Sequence, residues 1–368
     1  MSQYFRKFMA KFRGYTPGEQ PRGDWLKLNT NENPYEPPAE ILQDLKDGLV
    51  NLRKYPDIDA VEVKKQLTFN IRLDKTHSLK MDNIVFGSGE DELLDILFKI
   101  FVDKDDKVVY FTPSYGMYKV LCNIYEGKAV EIPLNPDFSV PVDKASAAEG
   151  KIMFICSPNN PNGARVPNEV VDKICSAFEG IVVVDEAYVD FAEDNCLSLA
   201  LKHDNLIILR TFSKSYSLAA LRVGYLISLN RDVILAIRKT KLPYNVNLTG
   251  QVAALASLKH QKLVDENVQK VKSERDRLVK MMAEIPQIKV FPSEANFIFI
   301  KIEVGDDSKN MKINQKIFWE LKKRKILVRQ YPQRGLYEYQ RITVGKPEDN
   351  DRFIKEFKEC LEIGLQSN

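Results

Sequence analysis

Residues 206–225 read Leu-Ile-Ile-Leu-Arg-Thr-Phe-Ser-Lys-Ser-Tyr-Ser-Leu-Ala-Ala-Leu-Arg-Val-Gly-Tyr. The run Leu206 to Leu209 is apolar throughout, short and unalternating, which fits a strand buried on both faces. It leads into a polar loop that carries Lys214 among the hydroxyls of Thr211, Ser213, Ser215 and Ser217. Arg222 lies eight residues beyond the lysine and opens a further apolar run, Val223-Gly-Tyr-Leu-Ile-Ser228. A strand, a polar loop and another strand therefore frame one lysine and one arginine.

The same grammar extends outward on both sides. Asn83-Ile-Val-Phe86 precedes Gly87-Ser-Gly-Glu-Asp-Glu92, and Leu93, Leu94, Leu97, Phe98 and Phe101 then recur at helical spacing. Val108-Val-Tyr-Phe111 is followed by a turn and a helical pattern from Tyr115 to Tyr125. Ile152-Met-Phe-Ile155 runs into Ser157-Pro-Asn-Asn-Pro-Asn-Gly163, with a helix from about Asn168. Ile181-Val-Val-Val184 ends in Asp185. Repeated strand–loop–helix order predicts an α/β fold with a mainly parallel central sheet flanked by helices. Such sheets bind ligands at the carboxyl ends of their strands, and the polar residues above sit there. The stretch from Thr16 to Pro38 is rich in Pro, Gly and Asn and reads as extended chain and turns. Beyond residue 250 come a long helical stretch from Gln251 to Met282, strands at Lys289-Val-Phe291 and Phe297-Ile-Phe-Ile300, a helix near Asn314–Lys325, strands Ile326-Leu-Val-Arg329 and Arg341-Ile-Thr-Val344, and a C-terminal helix. That order predicts a smaller α+β domain. The expected division is residues 1–40 as an N-terminal arm joining the small domain, 41–246 as the large domain and 247–368 as the small one.

Composition narrows the function classes. The chain has 368 residues, enough for two or three domains, with 54 Lys and Arg against 51 Asp and Glu. A formal charge of +3 over this length argues against a polybasic nucleic-acid or membrane binder. The five cysteines form no C-x-x-C pair and none lies near His77, His203 or His260, which argues against a metal site or a disulfide framework. Free thiols, no apolar run of about 18 residues and no signal-peptide core point to a cytoplasmic protein. Phe5, Phe8 and Phe12 fall at helical spacing among Arg6, Lys7, Lys11 and Arg13, read either as a targeting or membrane-surface helix or as a short arm packed on the body or on a partner subunit.

Three motifs then converge. Ser213-Lys214 with Arg222-Val-Gly224, Asp185-Glu-Ala-Tyr188 and Asn159-Asn-Pro-Asn-Gly163 resemble, in order and spacing, the signature segments of fold type I, class II pyridoxal-phosphate-dependent aminotransferases. Tyr15-Thr-Pro-Gly-Glu-Gln-Pro21, Leu28-Asn-Thr-Asn-Glu-Asn-Pro-Tyr35, Arg53-Lys-Tyr-Pro56, Ala295-Asn-Phe297, Ile326-Leu-Val-Arg329 and Arg341-Ile-Thr-Val-Gly345 are similar to the histidinol-phosphate aminotransferase family. The resemblance covers residues 15 to 345. It implies that Lys214 forms a Schiff base with pyridoxal 5'-phosphate and later shuttles a proton. Asp185 would pair with the pyridine nitrogen, and Asn160 and Tyr188 would bond the phenolic oxygen. The backbone N–H groups of Ser88, Gly89 and Glu90 would meet the cofactor phosphate at a helix start, with Thr211, Ser213 and Arg222 adding side chains. Tyr115 would stack on the pyridine, and Tyr55 would reach the phosphate of the neighbouring subunit in a homodimer.

For the substrate, the resemblance implies that Arg341 clamps the α-carboxylate, with Asn33 nearby, and that Arg329 takes the substrate phosphate with Tyr15. Asn162 stands where the family has Thr, and Gly335-Leu-Tyr-Glu-Tyr-Gln340 departs from the family's wording. The expected reaction interconverts L-histidinol phosphate plus 2-oxoglutarate with imidazole-acetol phosphate plus L-glutamate. An aromatic amino-acid aminotransferase and a threonine-phosphate decarboxylase are alternatives on the same scaffold. A transcriptional regulator of this fold would need a DNA-binding module ahead of Tyr15, where only about 14 residues stand.

Overall fold

A computed structural model describes residues 3–10, 12–331, 333 and 335–366. Twelve strands occur among these: β1 (Leu26–Leu28), β2 (Ile84–Ser88), β3 (Lys107–Thr112), β4 (Lys128–Pro133), β5 (Ile152–Cys156), β6 (Ile181–Asp185), β7 (Leu206–Thr211), β8 (Val223–Ile227), β9 (Ile288–Phe291), β10 (Phe297–Ile302), β11 (Ile326–Gln330) and β12 (Tyr339–Thr343). They form a seven-stranded sheet of order β2-β8-β7-β6-β5-β3-β4 and a five-stranded sheet of order β1-β11-β12-β10-β9.

The seven-stranded sheet is the α/β layer expected from the sequence. β3, β4, β5, β6 and β7 pair parallel, while β8 runs antiparallel to both β7 and β2. The reversal follows from the connection. Residues 212–222 contain only a short 3-10 turn, and no crossover helix is present to carry the chain back for parallel pairing. Strand residues alternate between two apolar layers. Val109, Met153, Val182 and Ile208 pack into one, and Val108, Ile152, Val183 and Ile207 into the other. Both faces are dry, which is why these runs are apolar without alternation.

The smaller sheet has its own core, built from Leu26, Leu28, Ile298, Ile300, Ile326, Ile342 and Phe357 among others. Its edge strand β1 was not recognised in the sequence. Three residues between Trp25 and Asn29 give no periodic signal, yet Leu26–Leu28 pairs parallel with Ile326–Val328. The helical stretch after residue 250 is two helices, Leu248–Lys259 and Gln261–Ala283, meeting at His260. The segment at residues 3–10 forms a short 3-10 turn, Lys7–Ala10, and Arg6 reaches Glu126 at 2.9 Å.

Candidate functional site

The carboxyl ends of β3, β5, β6 and β7 open onto one cavity of about 890 Å³, which the smaller sheet closes with Arg329 and Arg341. Tyr15, Glu90, Tyr115, Asn160, Asp185, Tyr188, Thr211, Ser213, Lys214, Arg222, Arg329 and Arg341 all line it. Residues more than 300 positions apart in the chain therefore share one space.

Asp185 ends β6 and is 2% exposed. Its Oδ2 accepts from the Tyr118 hydroxyl at 2.5 Å and its Oδ1 from the Ala187 N–H at 3.1 Å. Burial pushes its carboxyl above the usual carboxylate range, and the Tyr118 bond works against that rise. Tyr118, fully buried and stacked on Phe154, is missing from the sequence-based site. The available signal was its position three residues after Tyr115, at the start of the helix Met117–Ile124, where the two rings meet edge to face with centres 5.7 Å apart.

The Lys214 amine lies 3.5 Å from the Thr30 carbonyl and 5.7 Å from the centre of the Tyr188 ring. Burial, with Arg341 adding like-charge repulsion, lowers it to about 8. Its loop is pinned from two sides. Asn33 Nδ2 donates to the carbonyls of Lys214 and Ser215 at 3.2 and 3.0 Å. The Ser215 hydroxyl donates to Asp190. Asn33 thus braces the lysine loop from behind and does not line the cavity. Behind the loop, Arg210 meets Glu186 at 2.7 Å, and both are buried.

The helix Gly89–Phe101 begins at the cavity. Two of the three N–H groups expected to face an anion have other partners. Ser88 N–H donates to Glu92 Oε2 at 2.5 Å, and Gly89 N–H donates to the Arg222 carbonyl at 2.9 Å. Ser88 and Gly89 therefore shape the turn, and Glu90 carries the N–H at the cavity wall. Gly89 has φ +75°, and a Cβ there would fall 2.5 Å from Arg222 Nη2. Arg222 Nη2 also donates to Asp91 Oδ2 at 2.9 Å, while Asp91 Oδ1 accepts from the Tyr115 hydroxyl at 2.9 Å. Asp91 so ties together two cavity residues that the sequence reading named separately. Thr211 and Ser213 join through their hydroxyls at 3.0 Å.

Around the arginines, Arg341 donates to Asn160 Oδ1 at 2.7 Å and to the Asn29 carbonyl at 2.6 Å, and its Nε is buried with no acceptor. Arg329 donates to the Thr16 carbonyl at 3.0 Å. The two residues are register partners across β11 and β12. Among the described residues neither makes an ion pair, so two guanidinium groups lie on adjacent strands with no carboxylate between them. Like charges so placed repel. Asn31, another residue beyond those expected from the sequence, donates to the Tyr188 hydroxyl at 3.0 Å. Asn162, the departure from the family motif, accepts from Asn159 Nδ2 and the Ala164 N–H, a turn-making role. Tyr55 lies away from the cavity, 80% exposed, with its ring stacked on Tyr244 at 4.5 Å.

Residues 23–357 match the family described as aminotransferase class I and II. The histidinol-phosphate aminotransferase of Microcystis aeruginosa is 36% identical over 348 residues, 94% of this chain and 95% of that one. The enzyme of the same name from Thermoanaerobacter pseudethanolicus is 37% identical over 346 residues, 91% and 93% of the two chains. Among solved structures, the histidinol-phosphate aminotransferase of Sinorhizobium meliloti, in complex with pyridoxal-5'-phosphate, superposes with a TM-score of 0.86 over 98% of each chain at 22% identity. That likeness establishes the shared fold.

Proposed function

The chain belongs to the histidinol-phosphate aminotransferase family of class I and II aminotransferases, and from that premise we propose that it exchanges an amino group between L-histidinol phosphate and 2-oxoglutarate, with pyridoxal 5'-phosphate held at Lys214. The products are imidazole-acetol phosphate and L-glutamate. The observation that carries the substrate reading is the register pairing of Arg329 and Arg341 without a neutralising carboxylate. Two guanidinium groups at one cavity wall with no carboxylate partner suit a doubly charged substrate anion.

The residues present fit the cofactor. Asp185 is a buried acid suited to a cationic ring nitrogen, Lys214 a half-buried amine of lowered basicity suited to an aldehyde, and Arg222 with Ser213 and Thr211 a donor set suited to a phosphate. The close fit of Gly89 against Arg222 leaves no room for a side chain there. When bound, pyridoxal phosphate supplies the electron sink that makes the substrate's α-proton acidic.

The chain's own groups do the rest. Asp185 holds a positive ring nitrogen in place, with Tyr118 orienting its carboxylate. Lys214 is the base within the cavity that would take the proton from substrate Cα and pass it on to the cofactor. Its lowered basicity makes a neutral amine available near physiological pH. Arg341 takes the α-carboxylate of the amino-acid partner. Arg329, with Tyr15, takes the substrate phosphate. Tyr55 serves the neighbouring subunit in a homodimer.

Mixing the cofactor-loaded enzyme with L-histidinol phosphate, in the absence of an oxo acid, tests the reading. The absorbance of bound pyridoxal phosphate should convert to that of pyridoxamine phosphate. Arg329→Ala should weaken that substrate by roughly 10- to 100-fold, the worth of a charge-assisted bond or two, while cofactor affinity stays put. A spectrum that ignores histidinol phosphate but responds to another amine would sink the substrate assignment.

A further inference from the structure

Glu90 has a carboxyl that the proposed reaction does not use. It lines the same cavity as Lys214 and Asp185, and its Oε1 is buried with no hydrogen-bond partner. The Glu90 and Asp185 side chains act directly on one another, so two carboxyl groups share one space in that cavity. Two carboxylates in contact cannot both stay ionised, and one of them must hold a proton. The groups facing Glu90 decide which. Asp185 on β6, Asp91 on its own helix, the Tyr118 hydroxyl and the Cys156 thiol on β5 surround it, and Lys214 is the cation that acts on it. Asp185 already accepts from Tyr118 and the Ala187 N–H, which favour its ionised form. Burial and the Asp185 charge push Glu90 well above the ordinary carboxylate range. Glu90 is thus the donor of the pair and Asp185 the acceptor.

This bears on loading of the cofactor, and rests on the pyridoxal-phosphate reading above. A ring N–H and the Glu90 O–H are both donors seeking the same buried carboxylate. We propose that Glu90 is a built-in place-holder: in the unloaded protein its protonated carboxyl donates to Asp185, and the cofactor's ring N–H takes that bond over on binding. Loading is then an exchange of donors at Asp185, with no net loss of a hydrogen bond to that carboxylate. The unloaded protein is spared a buried, under-bonded carboxylate, and cofactor affinity is lower than the cradle alone would give.

Binding of pyridoxamine 5'-phosphate to the cofactor-stripped full chain tests this, because that ligand has no aldehyde to react with Lys214. Fluorescence titration at neutral pH should show Glu90→Ala binding about ten-fold tighter than wild type, since no donor competes. Glu90→Gln, whose amide can still donate to Asp185, should stay within about two-fold of wild type. Circular dichroism checks that both variants are folded. If Glu90→Ala binds no tighter, or if Glu90→Gln behaves like Glu90→Ala, the place-holder is refuted. A wild-type chain that binds neither pyridoxamine nor pyridoxal phosphate would instead overturn the cofactor reading on which the proposal stands.

Discussion

Lys214 joins the sequence to the chemistry through its surroundings. A lysine in a loop rich in serine is ordinarily solvated and cationic. Here burial, with Arg341 adding repulsion, lowers the amine to about 8. The sign follows directly: below that pH the amine is protonated and unreactive, above it neutral and nucleophilic. Covalent capture of pyridoxal phosphate by the stripped protein should rise about ten-fold per pH unit up to about 8 and then level off. Stopped-flow absorbance measures it, and a profile that keeps climbing towards pH 10 would show an ordinary lysine. Lys214→Ala should abolish capture and turnover together. The residue types were legible in the sequence because each does one chemical job. The partners were not. Tyr118 and Asn31 are an ordinary tyrosine and asparagine until folding sets them on Asp185 and Tyr188.

At the scale of elements, the turn from β2 into the helix Gly89–Phe101 brings helix, cavity and β8 together. Gly89 is held at φ +75° and leaves 2.5 Å between a hypothetical Cβ and Arg222 Nη2. Gly89→Ala strains the backbone and pushes the guanidinium aside, so cofactor affinity should fall at least ten-fold while the protein stays folded. Equilibrium titration with circular dichroism as control tests this. The Lys214 loop has a different support. Arg210 at the end of β7 meets Glu186 just after β6, and Glu186 Oε1 also accepts from Cys196 N–H at 2.6 Å. Arg210→Met leaves Glu186 as an uncompensated buried charge, at a cost of roughly 3–5 kcal/mol. Urea unfolding should show a clear fall in midpoint. An unchanged midpoint would mean that Glu186 had found a proton or water. The pair escapes sequence reading because its members are 24 positions apart and resemble any surface charges.

At the scale of the whole molecule, an apolar patch stands unused. Leu52, Tyr55 and Leu242 are exposed, and the two segments carrying them are joined by the Tyr55–Tyr244 stack and by the Lys241 contact to the Ile58 carbonyl at 2.5 Å. Large apolar side chains exposed on joined segments suit an interface. In the proposed homodimer this surface would be buried. Sedimentation should give twice the mass of one chain. The double variant Leu52→Glu, Leu242→Glu should shift towards monomer and weaken cofactor binding, since Tyr55 would no longer reach the neighbouring site. A wild-type monomer at micromolar concentration would refute the shared site. Among the described residues no helix is long and apolar enough to cross a membrane.

The α/β layer was legible in the sequence alone, and so were the residue types that line the cavity. Both are local properties: apolar runs of strand length repeat with helices between them, and a lysine, an aspartate and two asparagines stand at strand ends. The sequence also carried Arg329 and Arg341 as separate residues at the ends of separate segments. Only the tertiary structure decided that β12 returns beside β11, which sets those two guanidinium groups opposite each other without a counterion. It alone reversed β8, added β1 to the edge of the smaller sheet and spent the N–H groups of Ser88 and Gly89 on the turn. The reason is range. Hydrophobic periodicity and turn chemistry act over a few neighbours, whereas pairing register, burial and the cost of an unpaired charge depend on residues that only folding brings together.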